Sequence, residues 1–463
     1  MSAPDKSAAI EIIRTLRERG YDAYLVGGCV RDIVLGREPA DYDIATNATP
    51  DEVMNIFPRT WAVGAQFGVV LVPIDQQITR SPDHQIGAVP PAEVDKIANR
   101  GHAIEVATFR SDGLYTDGRH PDEVTFSKHA MEDVQRRDFT INGLLLDPTD
   151  NQVLDYVGGL SDLRHQIIRT IGDPERRFGE DKLRMLRAVR FAARFGYIID
   201  RDTFAAIQRL APQIHQVSKE RVRDELTKML TEGHARRAFE LLDESGLLHE
   251  VLPEIEKMKG VEQPPQFHPE GDVWVHTLML LDQLKQGCPR TLAWGALLHD
   301  VGKPPTFRVA PDRIRFDSHV EVGEAMATEI CRRLRMSNDD TQQIVALVGN
   351  HMRFGDTMKM KPATLKRFMR LPRFDEHLEL HRIDVLASHG NLGVHSFLVQ
   401  KLADTPPDEI RPRPLLTGHD LIELGHQPGP RFREILAAIE DLQLEGRLKS
   451  REEALEFVRE QYA

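Results

Sequence analysis

Apolar residues recur with a helical period over residues 6–20, where Ile10, Ile13 and Leu16 share one side and Gly20 ends the segment. Tyr24-Leu25-Val26 is a short apolar run that passes into Gly27-Gly28, a buried strand entering a turn, and a helix follows from about Val30. Tyr42 to Ala45, Val69 to Pro73 and Ile104 to Phe109 read as further strands. Between the last two, residues 75–100 are polar, hold three prolines and show no period, which predicts a surface insertion. Residues 111–122, with Gly113, Gly118 and Pro121, read as a mobile loop. After Gly172 the pattern turns helical, over 179–195, 202–211, 219–231, 235–246 and a block from 273 to 400. Proline-rich breaks follow Gln263 and Thr405, and the tail from 415 reads as three helices around a turn at Gly425–Pro430. The pattern predicts an α+β chain: a strand-bearing segment over 1–170, then helical segments over 171–258, 259–404 and 405–463.

Composition narrows the class without changing that picture. The chain has 463 residues, 41% hydrophobic and 29% charged, the balance of a folded chain rather than a disordered one. Three scattered cysteines, Cys29, Cys288 and Cys331, exclude a disulfide scaffold or a cysteine zinc site and fit a reducing, cytoplasmic setting. No basic-then-apolar leader opens the chain, and no window approaches a membrane span. The net charge of −12 weighs against nucleic-acid binding as a global sum, yet basic residues cluster locally. Lys219, Arg221, Arg223, Lys228, Arg236 and Arg237 form one group; Lys359, Lys361, Lys366, Arg367, Arg370 and Arg373 form another. Each is a solvated helix face or a phosphate-binding surface.

The chemistry-bearing N-terminal run is Leu25-Val26-Gly27-Gly28-Cys29-Val30-Arg31-Asp32, followed by Asp41-Tyr42-Asp43-Ile44. Two glycines after a strand let backbone N–H groups approach a phosphate, and Arg31 adds a charged fork. Asp41 and Asp43, two apart on a strand, point to one face, which is what a Mg²⁺ site for phosphoryl transfer needs. Either element alone is better read as a turn and a cap; together, at this spacing, they are far more specific. Glu105 is a third carboxylate at the metals or an exposed edge residue; the sequence leaves both open. Further on, Asp181, Arg184, Arg187, Arg190 and Arg194 recur at three- or four-residue steps as one helical stripe, on a helix whose Phe191, Ala192, Ala193 and Phe195 imply burial. A buried Arg/Asp pair offers donors and acceptors to a base edge.

These motifs resemble the nucleotidyltransferase superfamily shared with DNA polymerase β, and more closely the bacterial class II branch of CCA-adding tRNA nucleotidyltransferases and poly(A) polymerases. Arg136-Arg137-Asp138-Phe139-Thr140-Ile141-Asn142-Gly143 resembles the family's R-R-D-x-T-x-N motif, with Gly143 where alanine is common. Asp155-Tyr156-Val157-Gly158-Gly159, Glu180-Asp181-Lys182-Leu183-Arg184 and Leu416-Thr417-Gly418-His419-Asp420-Leu421 match later motifs in the same order. The resemblance implies a polymerase-β-like head with a mixed sheet, then a helical neck, a further domain and a tail. It implies that Asp41 and Asp43 bind Mg²⁺, that Asp181 and Arg184 read the incoming base, and that Gly28, Arg31, Arg137, Arg187 and Arg190 hold the nucleotide. It also implies that Arg110 and the loop 111–122 move during nucleotide switching. The partners it implies are CTP, ATP and a tRNA 3′ end.

A second constellation comprises His276, His299-Asp300, His319, His351 and Asp384 in one helical block. A lone His-Asp at a helix end is more often a cap, but six imidazole and carboxylate groups suit a hydrolytic divalent metal. Their order resembles the HD phosphohydrolase superfamily. That resemblance implies a mononuclear transition-metal set of His276, His299, Asp300 and Asp384, with His319 and His351 completing a dinuclear one. It implies a phosphatase or 2′,3′-cyclic phosphodiesterase acting on RNA ends. Rival readings are a poly(A) polymerase, a CC-only or A-only enzyme, and an HD hydrolase or plain RNA-binding protein with a vestigial head. Val63-Gly64-Ala65-Gln66-Phe67-Gly68 lacks the basic run associated with poly(A) polymerases, and intact Asp41, Asp43 and Arg137 oppose the vestigial readings.

Overall fold

A computed structural model describes residues 6–57, 60–62, 68–74, 103–112, 124–265 and 268–462. The insertion expected at 75–100, the tip of the loop expected at 111–122 and the run Val63–Phe67 lie outside them or largely so. The chain divides into two compact units, one of Met1–Glu225 with Arg237–Val251, the other of Leu226–Arg236 with Leu252–Ala463.

The first unit is built on the mixed sheet that the α+β reading called for. Its strands are β1 (Ala23–Val26), β2 (Asp43–Thr46), β3 (Trp61–Ala62), β4 (Val69–Pro73) and β5 (Ala103–Thr108), with β8 (Leu144–Asp147) and β9 (Gln152–Asp155). The order is β3-β4-β5-β2-β1-β8-β9, antiparallel throughout except for the parallel pair β2/β5. Two short strands, β6 (Arg110–Asp112) and β7 (Val124–Phe126), form a separate hairpin at the roots of the expected mobile loop. β8 and β9 went unread in the sequence, because Leu144-Leu145-Leu146 is uniformly apolar and carries no alternation. The helix Lys6–Glu18 lays Ala9, Ile12, Ile13 and Leu16 into the interior, with Ile10 only partly covered. Elsewhere Val26, Ala45, Phe109, Val134 and Leu145 pack into one apolar cluster.

Beyond the sheet and the β6/β7 hairpin the described part of the first unit is helical apart from a short parallel pair of Ile167–Ile168 with Ile198–Ile199. Pro174–Glu180 starts on an Asp173 cap whose side chain accepts from the Arg176 N–H. The next helix is Leu183–Phe195, so the single helix expected over 179–195 is two. The break falls at Asp181, whose φ of −148° is extended and whose carboxylate accepts from the Leu183 N–H.

The second unit is helical apart from a hairpin of Phe307–Val309 with Ile314–Phe316. Arg290–Leu298 has every residue from Thr291 to Leu298 buried, and Val273–Asp282, Asn338–Asn350 and Phe374–Ala387 contact it. The tail helices Gly418–Glu423, Pro430–Leu444 and Arg451–Gln461 close over their own core of Leu416, Leu421, Ile435, Ile439, Ala454 and Val458. Among the described residues, no helix is long and apolar enough to cross a membrane.

Candidate active site and metal centre

The head site is set by strand register. Val26 pairs with Asp43 across β1/β2, so the Gly27-Gly28 turn leaves the sheet beside that carboxylate. Ile44 pairs with Val106 across β2/β5, which puts Asp43 and Glu105 side by side on one face. Asp41 sits just before β2 rather than on it, and is exposed. Asp43 is pushed up to about 7, first by burial and then by the Glu105 and Asp41 carboxylates, with Arg137 opposing. Glu105 is raised by burial and by Asp41, again against Arg137. Three mutually repelling carboxylates beside one guanidinium are the ligand type a divalent cation takes, although their oxygens are not gathered within metal-sharing distance as those of the second unit are. Glu105 is itself exposed despite that crowding, but β5 lies between β4 and β2 and is not an edge strand, so each of its two open roles keeps one feature.

Arg137 is held by Asp133, which accepts from its Nε and Nη2 at 3.2 and 3.0 Å and from Arg136 at 3.0 and 2.7 Å. Gly27 has φ +78°, and a Cβ there would lie 3.2 Å from Arg137 Nη1, so both backbone conformation and space call for glycine. Gly28 opens the helix Gly28–Val34. Arg31, on that helix, is buried, donating to Asn142 Oδ1 at 2.7 Å and Asp32 Oδ1 at 2.9 Å.

The neck stripe is present, with each member paired. Asp181 lies in the turn before the helix rather than on it, and Arg221 donates to both of its oxygens at 3.2 and 2.7 Å. Arg184 donates to Glu180 at 2.7 Å and to the carbonyls of Arg177 and Arg136. Asp181 and Arg184, expected to act as a pair, are therefore each held by a different partner. Arg187 donates to Asp138 at 2.8 Å, and Arg190 to Glu225 at 2.6 Å. Asp138 is buried but drawn down to about 2 by Arg187 and by hydrogen bonds from Arg187 and Asn142.

In the second unit all six expected ligands converge. His276 Nε2 lies 3.1 Å from Asp384 Oδ1, 3.3 Å from His299 Nε2 and 3.9 Å from Asp300 Oδ2. Asp300, His319 and His351 form a second group able to share an ion. Donation from Nδ1 to the carbonyls of Ala296, Phe316 and Val348 gives His299, His319 and His351 the tautomer with a free Nε2 lone pair. The buried Nε2 atoms of His319 and His351 have no hydrogen-bond partner among the described residues, and that of His351 lies 3.7 Å from Asp300 Oδ1, which fits metal ligands. His276 is raised to about 9: burial opposes the proton, but hydrogen bonds to Asp384 and Glu270 outweigh it. Gly302 is needed for the assembly, since a Cβ there would meet the His319 carbonyl at 2.0 Å. The cluster opens into a cavity of about 460 Å³ also lined by Arg313, Arg315 and Lys303, the last buried and 2.7 Å from Asp300 Oδ2.

Comparison with known proteins places these sites in families. Residues 23–169 match the Poly A polymerase head domain, 196–259 the probable RNA and SrmB-binding site of polymerase A, and 271–387 the HD domain. The CCA-adding enzyme of Geobacillus stearothermophilus is 43% identical over 244 residues, 53% of this chain and 54% of the relative. The chain thus spans about half the length of such curated relatives. The crystal structure of the Bacillus stearothermophilus CCA-adding enzyme in complex with CTP superposes with a TM-score of 0.71 at 28% identity, covering 100% of this chain and 98% of that one. The CCA-adding enzyme of Levilactobacillus brevis is 30% identical over 446 residues, 96% of this chain and 95% of the relative. The chain belongs to the CCA-adding enzyme family.

In this family member the motif residues were legible from the sequence, whereas the groups that hold them were not. Glu225 escaped reading because its partner Arg190 is 35 residues away, and Arg221, read only as one of a basic cluster, is 40 residues from Asp181; Asp133 and Glu270 were passed over although their partners are local. Glu270 carried a usable signal, a carboxylate two residues from His268 and six from His276 in a histidine-rich stretch, and it accepts from both at 2.8 and 2.7 Å.

Proposed function

We propose that the chain adds nucleotides from CTP and ATP to the 3′ end of tRNA in the cytoplasm, and that its HD site is a separate phosphohydrolase. The observation that carries the first part is the placement of Asp41, Asp43 and Glu105 beside the Gly27-Gly28 turn, in a chain of this family. Asp41 and Asp43, with Glu105 beside them, would hold Mg²⁺. When bound, that ion supplies charge stabilisation and a more acidic attacking hydroxyl. The 3′-oxygen of the RNA forms a bond to the α-phosphorus while the bond to pyrophosphate breaks. Gly28, Arg31, Arg137, Arg187 and Arg190 bind the triphosphate. Asp181 accepts from the exocyclic amine that C and A share, and Arg184 donates to a ring nitrogen. Here residues 1–170 act as head and 171–258 as neck; 259–404 and 405–463 act as the HD domain and tail.

For the HD site, the partnerless Nε2 atoms of His319 and His351 support a dinuclear centre built on His276, His299, Asp300 and Asp384. The ion it takes would be a transition metal, given the imidazole-rich donors, and when bound it supplies a hydroxide near neutral pH. Lys303, Arg313 and Arg315 attract a phosphate into the cavity.

The first assignment is tested by Asp41→Ala and Asp43→Ala. Each is expected to lose incorporation by about a thousandfold or more with Mg²⁺ present, while the fold persists by circular dichroism. Normal incorporation by either folded variant would overturn it.

A further inference from the structure

The cavity beside the second-unit ligands is larger than a phosphate needs. At about 460 Å³ it falls in the range of sites that enclose a whole small organic ligand. Besides the ion ligands and the cations, its lining includes Ile314, Met352, Phe354, His381 and Val385, which a metal centre does not use.

These residues are tied to the ligands by the chain itself. Met352 and Phe354 follow the ligand His351 on the short helix His351–Lys359. His381 and Val385 lie on Phe374–Ala387, three residues before Asp384 and one after it, so His381 and Asp384 share a helix face. Phe354 lies flat on the His381 imidazole, with centroids 4.4 Å apart and planes 9° from parallel. Phe368 meets Phe354 edge-on at 5.0 Å and Phe374 backs it at 6.3 Å, which fixes the imidazole from behind. The edge and the other face of the imidazole are left for the cavity. His381 Nε2 is buried and has no hydrogen-bond partner among the described residues. Burial pushes this imidazole down to about 4, so near neutral pH it is uncharged and is no anchor for phosphate. Met352 lines the same cavity yet is 56% exposed, so its apolar surface is not spent on the core.

This lining discriminates among phosphate esters. A phosphorylated sugar could satisfy the His381 nitrogen but would set hydroxyls against Met352, Ile314 and Val385. A lipid phosphate would suit those three and leave the nitrogen unpaired. A nucleobase has apolar faces that stack and a polar edge that donates and accepts, and so meets both demands.

We propose that the cavity takes a nucleoside phosphate ester whose base lies against Met352, Val385 and the His381 imidazole and hydrogen-bonds His381 Nε2, making His381 a specificity-determining residue of the second site. The proposal rests on the hydrolase reading of that site and extends it from the ester to the base.

The test uses the full chain with Mn²⁺ and two five-membered cyclic esters, adenosine 2′,3′-cyclic phosphate and the base-free glycerol 1,2-cyclic phosphate. Wild type is compared with His381→Phe, which keeps a ring on Phe354 and loses both nitrogens, and with Met352→Ser, at an exposed position. Wild type is expected to show a kcat/KM at least about tenfold higher for the adenosine ester. His381→Phe is expected to raise KM for the adenosine ester about tenfold and to move that of the base-free ester far less. Equal kcat/KM for the two esters in wild type, or a His381→Phe effect of the same size on both, overturns the proposal. Should His381→Phe fail to fold, Met352→Ser decides by the same comparison. If wild type hydrolyses neither ester, binding decides. Adenosine 2′-phosphate is then titrated calorimetrically with the ion chelated, and any difference between wild type and variant belongs to the cavity, because the first unit is the same in both. Binding about tenfold weaker in the variant would remove the hydrolase reading and leave the base site standing; unchanged binding overturns the base site.

Discussion

At residue 143, glycine stands where the resembling family commonly has alanine, and the structure has closed around the missing methyl. A Cβ there would lie 2.9 Å from Val157 Cγ2, 3.1 Å from Ile171 Cδ1 and 3.2 Å from Val134 Cγ1. Gly143→Ala is therefore expected to destabilise the first unit by about 1–3 kcal/mol, read as a lower urea midpoint; an unchanged midpoint would show that those side chains give way freely. Asp138 makes a second test. Its folded value of about 2 lies below the ordinary aspartate value near 4, so its ion-paired stabilisation is complete above about pH 4 and is lost as pH falls through 2. That amounts to about 2 kcal/mol. The stability gap between wild type and Asp138→Asn should narrow on acidification between pH 4 and 2; a constant gap would contradict the ionised pairing with Arg187. Asp41, Asp43 and Arg137 could be read from the chain because short motifs carry them. Glu225 could not, since it is a single acidic residue among many until folding brings Arg190 to it, whereas Asp133 stands only three and four residues before Arg136 and Arg137 and was passed over.

Among elements, the lesson is in the neck. Regular spacing made residues 179–195 read as one helix with Asp181 at its head, whereas Asp181 breaks it and faces Arg221. The spacing signal cannot see a side chain that competes with the helix for its own N–H groups. Asp181→Ala is expected to relax base choice, raising UTP and GTP incorporation relative to CTP and ATP by about tenfold, since each lost matched bond is worth about 1–3 kcal/mol. Arg137→Ala should weaken all four nucleotides alike. If Asp181→Ala slows all four by one factor, the residue supports the turn and does not read bases. In the sheet, the strands β1, β2, β4 and β5 were legible from apolar runs, but their order was not. The parallel pairing of β2 with β5, which brings Glu105 to Asp43, joins Ile44 to Val106 far along the chain and leaves no local mark.

For the whole molecule, the sequence pointed to two sets of candidate ligands, and their residues fall in two compact units. Proline-rich breaks suggested divisions at 259 and 405; the second unit resumes at Leu252, and the tail packs a core of its own. Because the two ligand sets lie in different units, His299→Ala is expected to lose metal-dependent phosphoesterase activity and keep CMP and AMP incorporation. Chelation should remove that hydrolysis from wild type, and Mn²⁺, Ni²⁺, Co²⁺ or Mg²⁺ should restore it. A wild type inactive on cyclic phosphate and phosphomonoester with every one of these ions would sink the hydrolase reading alone.

The central claim is nucleotide addition with a choice of C and A and no template. The most direct measurement gives the protein, with Mg²⁺, a tRNA transcript lacking its three 3′ nucleotides and supplies the four nucleotides singly and together. The account predicts that CTP alone extends the transcript by two and stops, that CTP with ATP extends it by three, and that GTP and UTP are not used. A run of A residues from ATP alone, or no extension by the folded protein, would contradict it.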